Sequence, residues 1–522
     1  MRSPLNDLSG KSFDVAIIGG GINGGAAAQH LAAEGYSVLM FDKSDFGTGA
    51  SSRSSRLLHC GLSGLMPKSS PWEFVFQPWK LKAALKSGRE QSKSRDEFVT
   101  TMPEYVRKFT FCLPIYDDSR FPGWQLDVAF RLLDRKDAKV PLDYRRLSAK
   151  DARSTIPLVS KLRSPERLRS VATFSEYNFD WAERIVVDTV LEAERHGATV
   201  RNYTALERFE RQGDRWRLFL SDGLDAGAGP VSVDARVVMN MTGPWVDDVN
   251  RLTGQPRSPR LINGNKGVHI MVRLAPEFRN HGIFSFGPDD IFLYMMPWRD
   301  MHYIGPTDMP YEGSLDDVCA TEADIEHVLA NTARVIPGLQ LTRSDVLYSW
   351  AGVQPRTFDP ANPEGTWSRE IHDLSASGMP NFLAVTGATI GRSRMTGRDA
   401  TAAIRSRLEP SGARKGFSYA AHKRPHDPDS PALFNDDPTV RLSDITYAVE
   451  HEHAETLTDI MFRRTGAGWN GSMGREGAQV AARILGECRG WPQERIDEEV
   501  ERYLDELAHR HGTREGGGPT RP

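Results

Sequence analysis

Glycine stands at three spaced positions near the start of the chain, Gly19, Gly21 and Gly24, within the stretch GGGING. The first glycine permits a tight turn off a strand, the second lets backbone approach a diphosphate, and the third lets a helix pack closely. Unpaired N–H groups at that helix N-terminus favour an anion. Asp42 follows at the distance where a carboxylate holds ribose hydroxyls. The spacing predicts a site for an adenine dinucleotide.

The elements around this motif fit a β-turn-α-β unit. We expect a buried strand at Phe13–Ile18, a helix at Asn23–Glu34 and a second buried strand at Ser37–Phe41. The next strands able to join the same sheet come much later, at Ala235–Met241 and Phe382–Thr386. This split layout favours FAD over NAD, because an NAD-binding domain normally completes its sheet in one block.

The predicted fold class is therefore α/β: a Rossmann-like FAD-binding domain of the glutathione-reductase type, an inserted antiparallel-sheet substrate domain and a C-terminal helical domain. The predicted segments are FAD-binding at 1–70, 181–250 and 376–410, a cap at 71–180, a substrate-binding sheet at 251–375, a Pro-, Asp- and Ser-rich linker at 411–436, a helical domain at 437–510 and a disordered tail at 511–522.

Composition excludes several classes of function. The net charge of the 522 residues is −3, which gives no basic surface for general nucleic-acid binding. Four separated cysteines without CxxC spacing indicate free thiols in a reducing compartment and no metal site. Without an apolar leader or a spanning run, we expect a cytoplasmic protein. Contact with the inner face of the cell membrane stays open, because residues 71–90 are basic and aromatic; they fit a membrane surface or, as we favour, a helix covering the FAD domain.

Many ordered stretches resemble the FAD-dependent glycerol-3-phosphate dehydrogenase family. They include IIGGGINGGAAAQHLAAEGYSVLMFDKSD, TGASSRSSRLLHCGL, NMTGPWVDDV, KGVHIMV, MMPW, IGPTD, SWAGVQP, SRE, YAVEHEHAETLTDIMFRRTG and GWPQERIDEEVERYL. The likeness spans residues 10–508.

The resemblance implies a reaction and the residues that perform it. A secondary alcohol gives its hydride to the flavin and its hydroxyl proton to a base, and electrons pass to quinone or, in some members, to oxygen. His59 and His269 match active-site histidines of the family, and His59 is the candidate base. Arg369 matches a phosphate-binding arginine, and Thr307 and Asp308 match the end of a further motif.

The expected FAD contacts extend beyond the glycine motif. A polar loop after the second strand could reach the cofactor, and close-approach glycines are expected near it. The full set is Gly19, Gly21, Ile22, Asn23, Gly24, Asp42, Lys43, Ser51, Ser52, Ala205, Gly243 and Gly391, with the backbone of Ala205, taken as the end of a strand, facing adenine. A covalent flavin link through Cys60 is conceivable, but a small buried thiol fits this position better.

Departures from the family concentrate at its cationic positions. Ser63-Gly64 replaces an Arg-Tyr pair, Gln354 replaces an arginine and Thr389 replaces a lysine. A buried phosphate with one arginine is poorly compensated. Arg356, two residues beyond Gln354 on the same strand face, and Arg392 offer replacement charge; Lys266 is a further candidate.

Three functions stay open. The preferred one is oxidation of a polyol phosphate, glycerol-3-phosphate or a larger relative such as a tetritol phosphate. The second is oxidation of an amino or hydroxy acid, because one bidentate arginine suffices for a carboxylate. The third is a flavin-binding relative without turnover. A homodimer is also left open.

Overall fold

The protein is described by a computed structural model covering residues 2–65, 76–134, 137–225, 227–286, 292–425 and 427–512, without the side chains of residues 63, 64 and 363. Within these residues, no helix is both long and apolar enough to cross a membrane.

The first sheet is built on a parallel core in the order β19-β10-β1-β2-β7, with β18 and the β8–β9 hairpin added antiparallel. Its strands are β1 (Ser12–Ile18), β2 (Val38–Phe41), β7 (Thr199–Arg201), β8 (Thr204–Gln212), β9 (Arg215–Asp222), β10 (Val231–Asn240), β18 (Glu370–Asp373) and β19 (Phe382–Thr386). Strand order reverses at β1, which lies between β2 and β10. Ligands of open α/β sheets bind at such a point, beyond the carboxyl ends of the strands.

The second sheet is mainly antiparallel, with the order β17-β16-β11-β14-β13-β12-β4-β6-β3, and β12 runs parallel to β4. Its strands are β3 (Leu57–Leu58), β4 (Val106–Tyr116), β5 (Arg145–Ser148), β6 (Leu168–Phe179), β11 (Ile262–Val272), β12 (His281–Phe286), β13 (Phe292–Trp298), β14 (Met301–Gly305), β15 (Met309–Pro310), β16 (Val346–Asp359) and β17 (Asn362–Thr366). One face packs on helices α4 (Ala149–Thr155) and α7 (Glu322–Val335). The other face carries His269, Tyr303 and Trp350 toward the rest of the molecule.

Three helices pack together against the first sheet: α1 (Ile22–Ala33), α5 (Ala182–Arg195) and α8 (Ser393–Arg405). The remaining helices are α2 (Pro78–Thr101), α3 (Gly123–Leu133), α6 (Val246–Arg251), α9 (Leu442–His451), α10 (Arg475–Arg489) and α11 (Gln493–His511). Gly24 and Gly25 let α1 pack closely: a Cβ on Gly24 would lie 1.9 Å from the carbonyl oxygen of Gly19.

The C-terminal helices share a hydrophobic core with the second sheet rather than forming one of their own. Trp298, Tyr348 and Trp350 of the sheet are buried with Phe462 and Trp469 of the C-terminal segment. A π-helical turn at Asp459–Arg464 brings Arg463 and Arg464 onto Asp45, which follows β2. The C-terminal segment is thereby fixed to the FAD-binding sheet as well.

The element types expected from the sequence agree with the structure, and several boundaries differ. The basic helix begins at Pro78 and continues to Thr101, since its buried half comes after Gly88; residues 71–75 lie outside the described part. His511 ends α11 and is not part of a disordered tail; the rest of that tail, from residue 513, is not described. The linker at 411–436 has no helix among its described residues, but Phe417 and Tyr419 pack on His30 of α1.

Candidate active site

The glycine turn has the geometry that a diphosphate needs. Gly19 has φ +108°, and a Cβ there would lie 2.7 Å from the carbonyl oxygen of Met241. No other residue type fits this turn without strain. The Ile22 N–H, in the first turn of α1, donates to Ser51 Oγ at 3.1 Å, so the loop after β2 reaches the helix N-terminus.

Asp42 is fixed at the end of β2. Its carboxylate accepts hydrogen bonds from the N–H groups of Gly20 and Ser44, at 2.7 and 2.8 Å. Burial raises the pKa of Asp42 to about 6 despite these bonds. A carboxylate offers about four lone-pair directions, so it can still accept from a ribose hydroxyl.

A cavity of about 1,750 Å³ runs from this turn to the second sheet. Ordinary small-molecule sites measure roughly 300–1,000 Å³, so there is room for a dinucleotide together with a substrate. The cavity brings together most of the residues that the sequence singled out: Gly19, Gly21, Ile22, Asn23, Asp42, Lys43, Ser51, Ser52, His59, Ala205, Gly243, His269, Thr307, Asp308, Gly391 and Arg392. Asn23 Oδ1 is buried without a hydrogen-bond donor among the described residues, so it can accept a hydrogen bond from a molecule bound in the cavity.

Two residues that the sequence predicts to lie at the site, Gly24 and Arg369, do not line the cavity. Gly24 acts instead through its close packing on Gly19. The guanidinium of Arg369 forms an ion pair with Asp399 of α8, and Arg369 is not among the lining residues. Lys266 is likewise engaged elsewhere, with its Nζ 2.6 Å from Asp324. The family match gave the residue types, but neighbouring carboxylates decide where these cations point.

His59 lies in the loop after β3 and is exposed to the cavity rather than to bulk water. Burial within the protein, with the nearby charge of Arg392, lowers the pKa of His59 to about 4. Among the described residues, none forms a hydrogen bond with the ring of His59. A neutral imidazole that faces the cavity in this way can accept a proton.

His269 is held more firmly, in the middle of β11. Its ring stacks on Trp350 at a centroid distance of 5.0 Å, and its Nε2 lies 3.2 Å from Tyr294 Oη. Burial and Arg56 lower the pKa of His269 to about 3. His269 is thus a second neutral imidazole on the floor of the same cavity.

Arg392 is the cation whose charge, together with burial, lowers the pKa of His59. It ends a 3-10 turn at Ile390–Arg392, and its Nη2 donates to Ser87 Oγ of α2 at 2.6 Å. The structure shows no carboxylate in an ion pair with it among the described residues. The charge of Arg392 therefore remains available to a ligand.

The other cationic positions are weaker. Arg356 lies on the same face of β16 as Gln354, as expected, but its guanidinium is paired with Asp308. Gln354 and Thr389 line the cavity without charge. The side chain of Ser63 is not part of the described structure. Thr307 mainly supports the floor, since its Oγ1 accepts from the Val268 N–H at 3.0 Å.

Two further predictions from the sequence concern Ala205 and Cys60. Ala205 does line the cavity, but it is the second residue of β8 and does not end a strand as the sequence suggested, because Thr204 already pairs with β9. Cys60 is buried, and burial together with Glu176 raises the pKa of its thiol. It is a thiol at neutral pH, which agrees with the reading of a small buried side chain.

Sequence reasoning missed two parts of the cavity wall. One is aromatic and comes from the second sheet: Phe111, Phe174, Phe284, Phe292 and Tyr294. The other comes from the C-terminal segment and carries Thr458, Phe462, Arg463, Arg502 and Arg510. The alternating aromatic residues of β12 and β13 were a signal for the first, whereas no local pattern indicates the second.

Comparisons with known proteins agree with this geometry. The family of FAD-dependent oxidoreductases matches residues 14–402, and the C-terminal domain of alpha-glycerophosphate oxidase matches residues 418–496. The chain belongs to this family of FAD-dependent oxidoreductases, and FAD is its cofactor.

Several relatives are named glycerol-3-phosphate dehydrogenases, in agreement with the sequence resemblance. A glycerol-3-phosphate dehydrogenase of Synechocystis is 27% identical, over 95% of this chain and 96% of that protein. A D-erythritol 1-phosphate dehydrogenase of Brucella abortus is 29% identical, over 73% of this chain and 71% of that protein. The structure of a Bacillus halodurans glycerol-3-phosphate dehydrogenase complexed with FAD aligns with TM-score 0.73 at 21% identity, covering 97% and 96% of the two chains.

Proposed function

We propose that the protein oxidises the secondary hydroxyl of a polyol phosphate, glycerol-3-phosphate or a larger relative. One observation carries this proposal: a single cavity joins the glycine turn to two neutral histidines and to an arginine without a carboxylate partner. FAD bound at the glycine turn supplies the acceptor for the hydride of the carbinol carbon. The name of the Brucella relative, a tetritol phosphate dehydrogenase, supports including larger substrates.

His59 is the proposed proton acceptor. Its pKa of about 4 keeps the ring neutral at physiological pH, and it faces the cavity without a protein partner among the described residues. As the secondary alcohol becomes a ketone, His59 takes the hydroxyl proton while the hydride leaves the carbon. His269 is less mobile, because it is held between Trp350 and Tyr294. It is the proposed positioning residue for the substrate oxygen.

Arg392 is the proposed ligand of the substrate anion. Its guanidinium can form two parallel hydrogen bonds to a phosphate. The Ser87 hydroxyl holds it from α2 and leaves further N–H groups directed at the cavity. The single charge is low for a phosphate dianion, so the cavity also fits a second candidate, an amino or hydroxy acid with one carboxylate.

An anaerobic reduction assay separates these candidates. The holoprotein is mixed with glycerol-3-phosphate, erythritol 1-phosphate, a hydroxy-acid set and an amino-acid set, and loss of flavin absorbance near 450 nm is followed. Bleaching by the polyol phosphates alone supports the proposal. Bleaching by acids and not by phosphates selects the second candidate, and bleaching by neither removes both.

The electron acceptor in this proposal is a quinone, reached from a membrane surface. Trp79 of α2 and Trp124 of α3 have 64% and 62% of their surface exposed. Gly88 of α2 faces Leu133 of α3, and each tryptophan stands nine residues before one of these two. The two helices are in contact, so one helix pair carries both exposed tryptophans.

The surroundings of the tryptophans suit an anionic lipid surface. Val128 and Leu132 extend the exposed apolar face of α3, and Lys82 and Lys86 are exposed on α2. Aromatic side chains combined with lysines are typical of helices that lie in a membrane interface. The same helix α2 holds Arg392 through Ser87, so it connects this surface to the cavity. These features support our proposal that the protein works at the inner face of the cell membrane.

Co-sedimentation with vesicles tests the membrane contact. The protein is expected to bind vesicles of phosphatidylglycerol more than those of phosphatidylcholine. W79S/W124S should reduce binding several-fold, and Leu224→Ser, which removes an exposed apolar side chain elsewhere, should not. Equal binding by all three proteins would contradict this surface, and rapid reduction of a soluble dye with no reduction of vesicle quinone would contradict the acceptor.

A further inference from the structure

Arg53 is an arginine of the cavity wall that the reaction proposed above does not use. It lies two residues after Ser51, whose hydroxyl accepts the hydrogen bond from the first turn of α1. Its Cβ and carbonyl pack on the backbone of Gly352 in β16. In the described part of the chain, no carboxylate pairs with its guanidinium and no acceptor receives its N–H groups. Arg53 is nevertheless enclosed by protein and lines the cavity.

The neighbouring cation is Arg510, from the last turns of α11. Its Nε lies 3.5 Å from Glu506, and its Nη2 donates to the carbonyl of Asp316 at 3.2 Å. Its Nη1 is buried and has no acceptor among the described residues.

Arg510 precedes His511, whose Nδ1 lies 2.8 Å from the carbonyl oxygen of Ser349 in β16, and Arg53 packs on Gly352 of the same strand. Burial and the charge of Arg510 lower the pKa of Arg53 to about 10, so Arg53 remains cationic at neutral pH.

The other charges nearby are already engaged. Arg463 bonds to Asp45 and Asp459. Glu506 accepts from the Thr458 hydroxyl at 2.7 Å in addition to facing Arg510. Arg53 and Arg510 thus place two positive charges on the cavity wall, and among the described residues Glu506 pairs with Arg510 only. Both arginines are partly buried, and like charges held away from bulk water are stabilised by an anion between them.

We propose that Arg53 and Arg510 form a binding site for a phosphate oxyanion at the junction of the loop after β2 and the C-terminal helix. A guanidinium fork matches the geometry of phosphate oxygens and outperforms a lysine there. Two sources of the phosphate share this chemistry. One is the diphosphate of FAD, since Ser51 ties the loop to the helix N-terminus. The other is the phosphate of a small molecule that enters the cavity separately from the anion at Arg392.

Two binding measurements distinguish the sources. The dissociation constant of FAD is measured by titrating it into apoprotein and following flavin fluorescence. The midpoint of thermal unfolding of the holoprotein is measured with inorganic phosphate and with chloride at equal ionic strength. Both are done for wild type, Arg53→Gln, Arg510→Gln and Arg257→Gln. Arg257 is an exposed arginine away from the cavity and serves as the matched control.

The site is supported in either of two ways. If FAD is the source, Arg53→Gln weakens FAD binding at least tenfold, and phosphate leaves the wild-type midpoint unchanged. If a small phosphate is the source, FAD binding matches the control, and phosphate raises the wild-type midpoint but not that of Arg53→Gln or Arg510→Gln. The proposal is overturned if Arg53→Gln and Arg510→Gln equal Arg257→Gln in both measurements.

A second variant keeps the proposal testable if Arg53→Gln does not fold. Arg53→Lys keeps the charge and loses the fork. It should weaken whichever phosphate contact exists by a smaller factor, several-fold. Wild-type behaviour of Arg53→Lys in both measurements would exclude recognition by the guanidinium fork.

Discussion

Two regions of this molecule contain arginines with different partners. At the junction with the C-terminal segment, Arg464 meets Asp45 through two bonds of 2.6 and 2.8 Å, and Arg184 meets Glu452 through two of 2.6 and 2.7 Å. In the cavity, Arg53 and Arg392 have no carboxylate in an ion pair within the described residues.

The difference teaches which arginines are structural. A guanidinium removed from water is stabilised by a counterion, and the junction supplies one from the chain itself. Arg53 and Arg392 have no such partner among the described residues and can bind an anion from outside. In this structure Arg369 belongs with the paired arginines, because its guanidinium forms an ion pair with Asp399.

The largest effect is expected on stability, at the junction where arginines pair with carboxylates. Asp45→Asn leaves Arg463 and Arg464 without their shared carboxylate, and breaking a buried pair costs about 3–5 kcal/mol of unfolding free energy. Burial acts to raise the pKa of Asp45, but the two arginines hold it well below its usual range. Urea unfolding measures the loss. Glu498→Gln, at an exposed pair with Arg495, should change stability by less than about 0.5 kcal/mol, and an equal loss in both variants would contradict the distinction.

The next largest effect is expected on activity, at the cavity arginine Arg392. Arg392→Leu should lower kcat/KM for the anionic substrate roughly 100-fold, since removing one partner of a buried charge contact costs about 2–5 kcal/mol. Arg392→Lys should fall in between. Arg369→Leu is the comparison, because it removes a cation that Asp399 already neutralises. If Arg369→Leu is the more damaging variant in steady-state kinetics, the two arginines have been assigned the wrong way round.

The pH dependence of kcat/KM tests whether the charge of Arg392 acts on His59. His59 can accept a proton only when its ring is neutral, at a pH above its pKa. As the pH falls through that pKa the ring becomes protonated, so kcat/KM should decline only near pH 4. Arg392→Leu should move this decline to higher pH, because it removes the second cause of the shift. The folded pKa lies below the unfolded value of 6.5, so His59 also lowers stability as the pH falls from 6.5 toward 4. Initial rates after a pH jump avoid this loss, and a decline centred at pH 6.5 would contradict the environment described for His59.

The smallest effect is expected at Arg356, which lies in the cavity but has a partner. Asp308 neutralises it, and the side chain of Asp308 is 45% exposed although Arg356 is buried, so water can solvate Asp308 when Arg356 is removed. Arg356→Gln should change kcat/KM less than about threefold, since such pairs contribute roughly 0–1 kcal/mol. A tenfold loss would show that Arg356 releases Asp308 to bind substrate.

The first sheet could be predicted from sequence because its signals are local. Gly19, Gly21 and Gly24 are required by backbone geometry that only glycine adopts, and the strands beside them are continuous apolar runs. The histidines were found through the family resemblance, and the structure places both in the cavity.

The sequence by itself determined the cofactor class, the order of the elements and the residue types available to the reaction. Tertiary structure alone decided which cations remain free to bind a ligand, because pairing depends on carboxylates far away in the chain. Asp399 forms an ion pair with Arg369, whereas no carboxylate in the described residues forms an ion pair with Arg392 or Arg53. Electrostatic energy depends on distance in space and on burial, and neither quantity can be read from the spacing of residues along the chain.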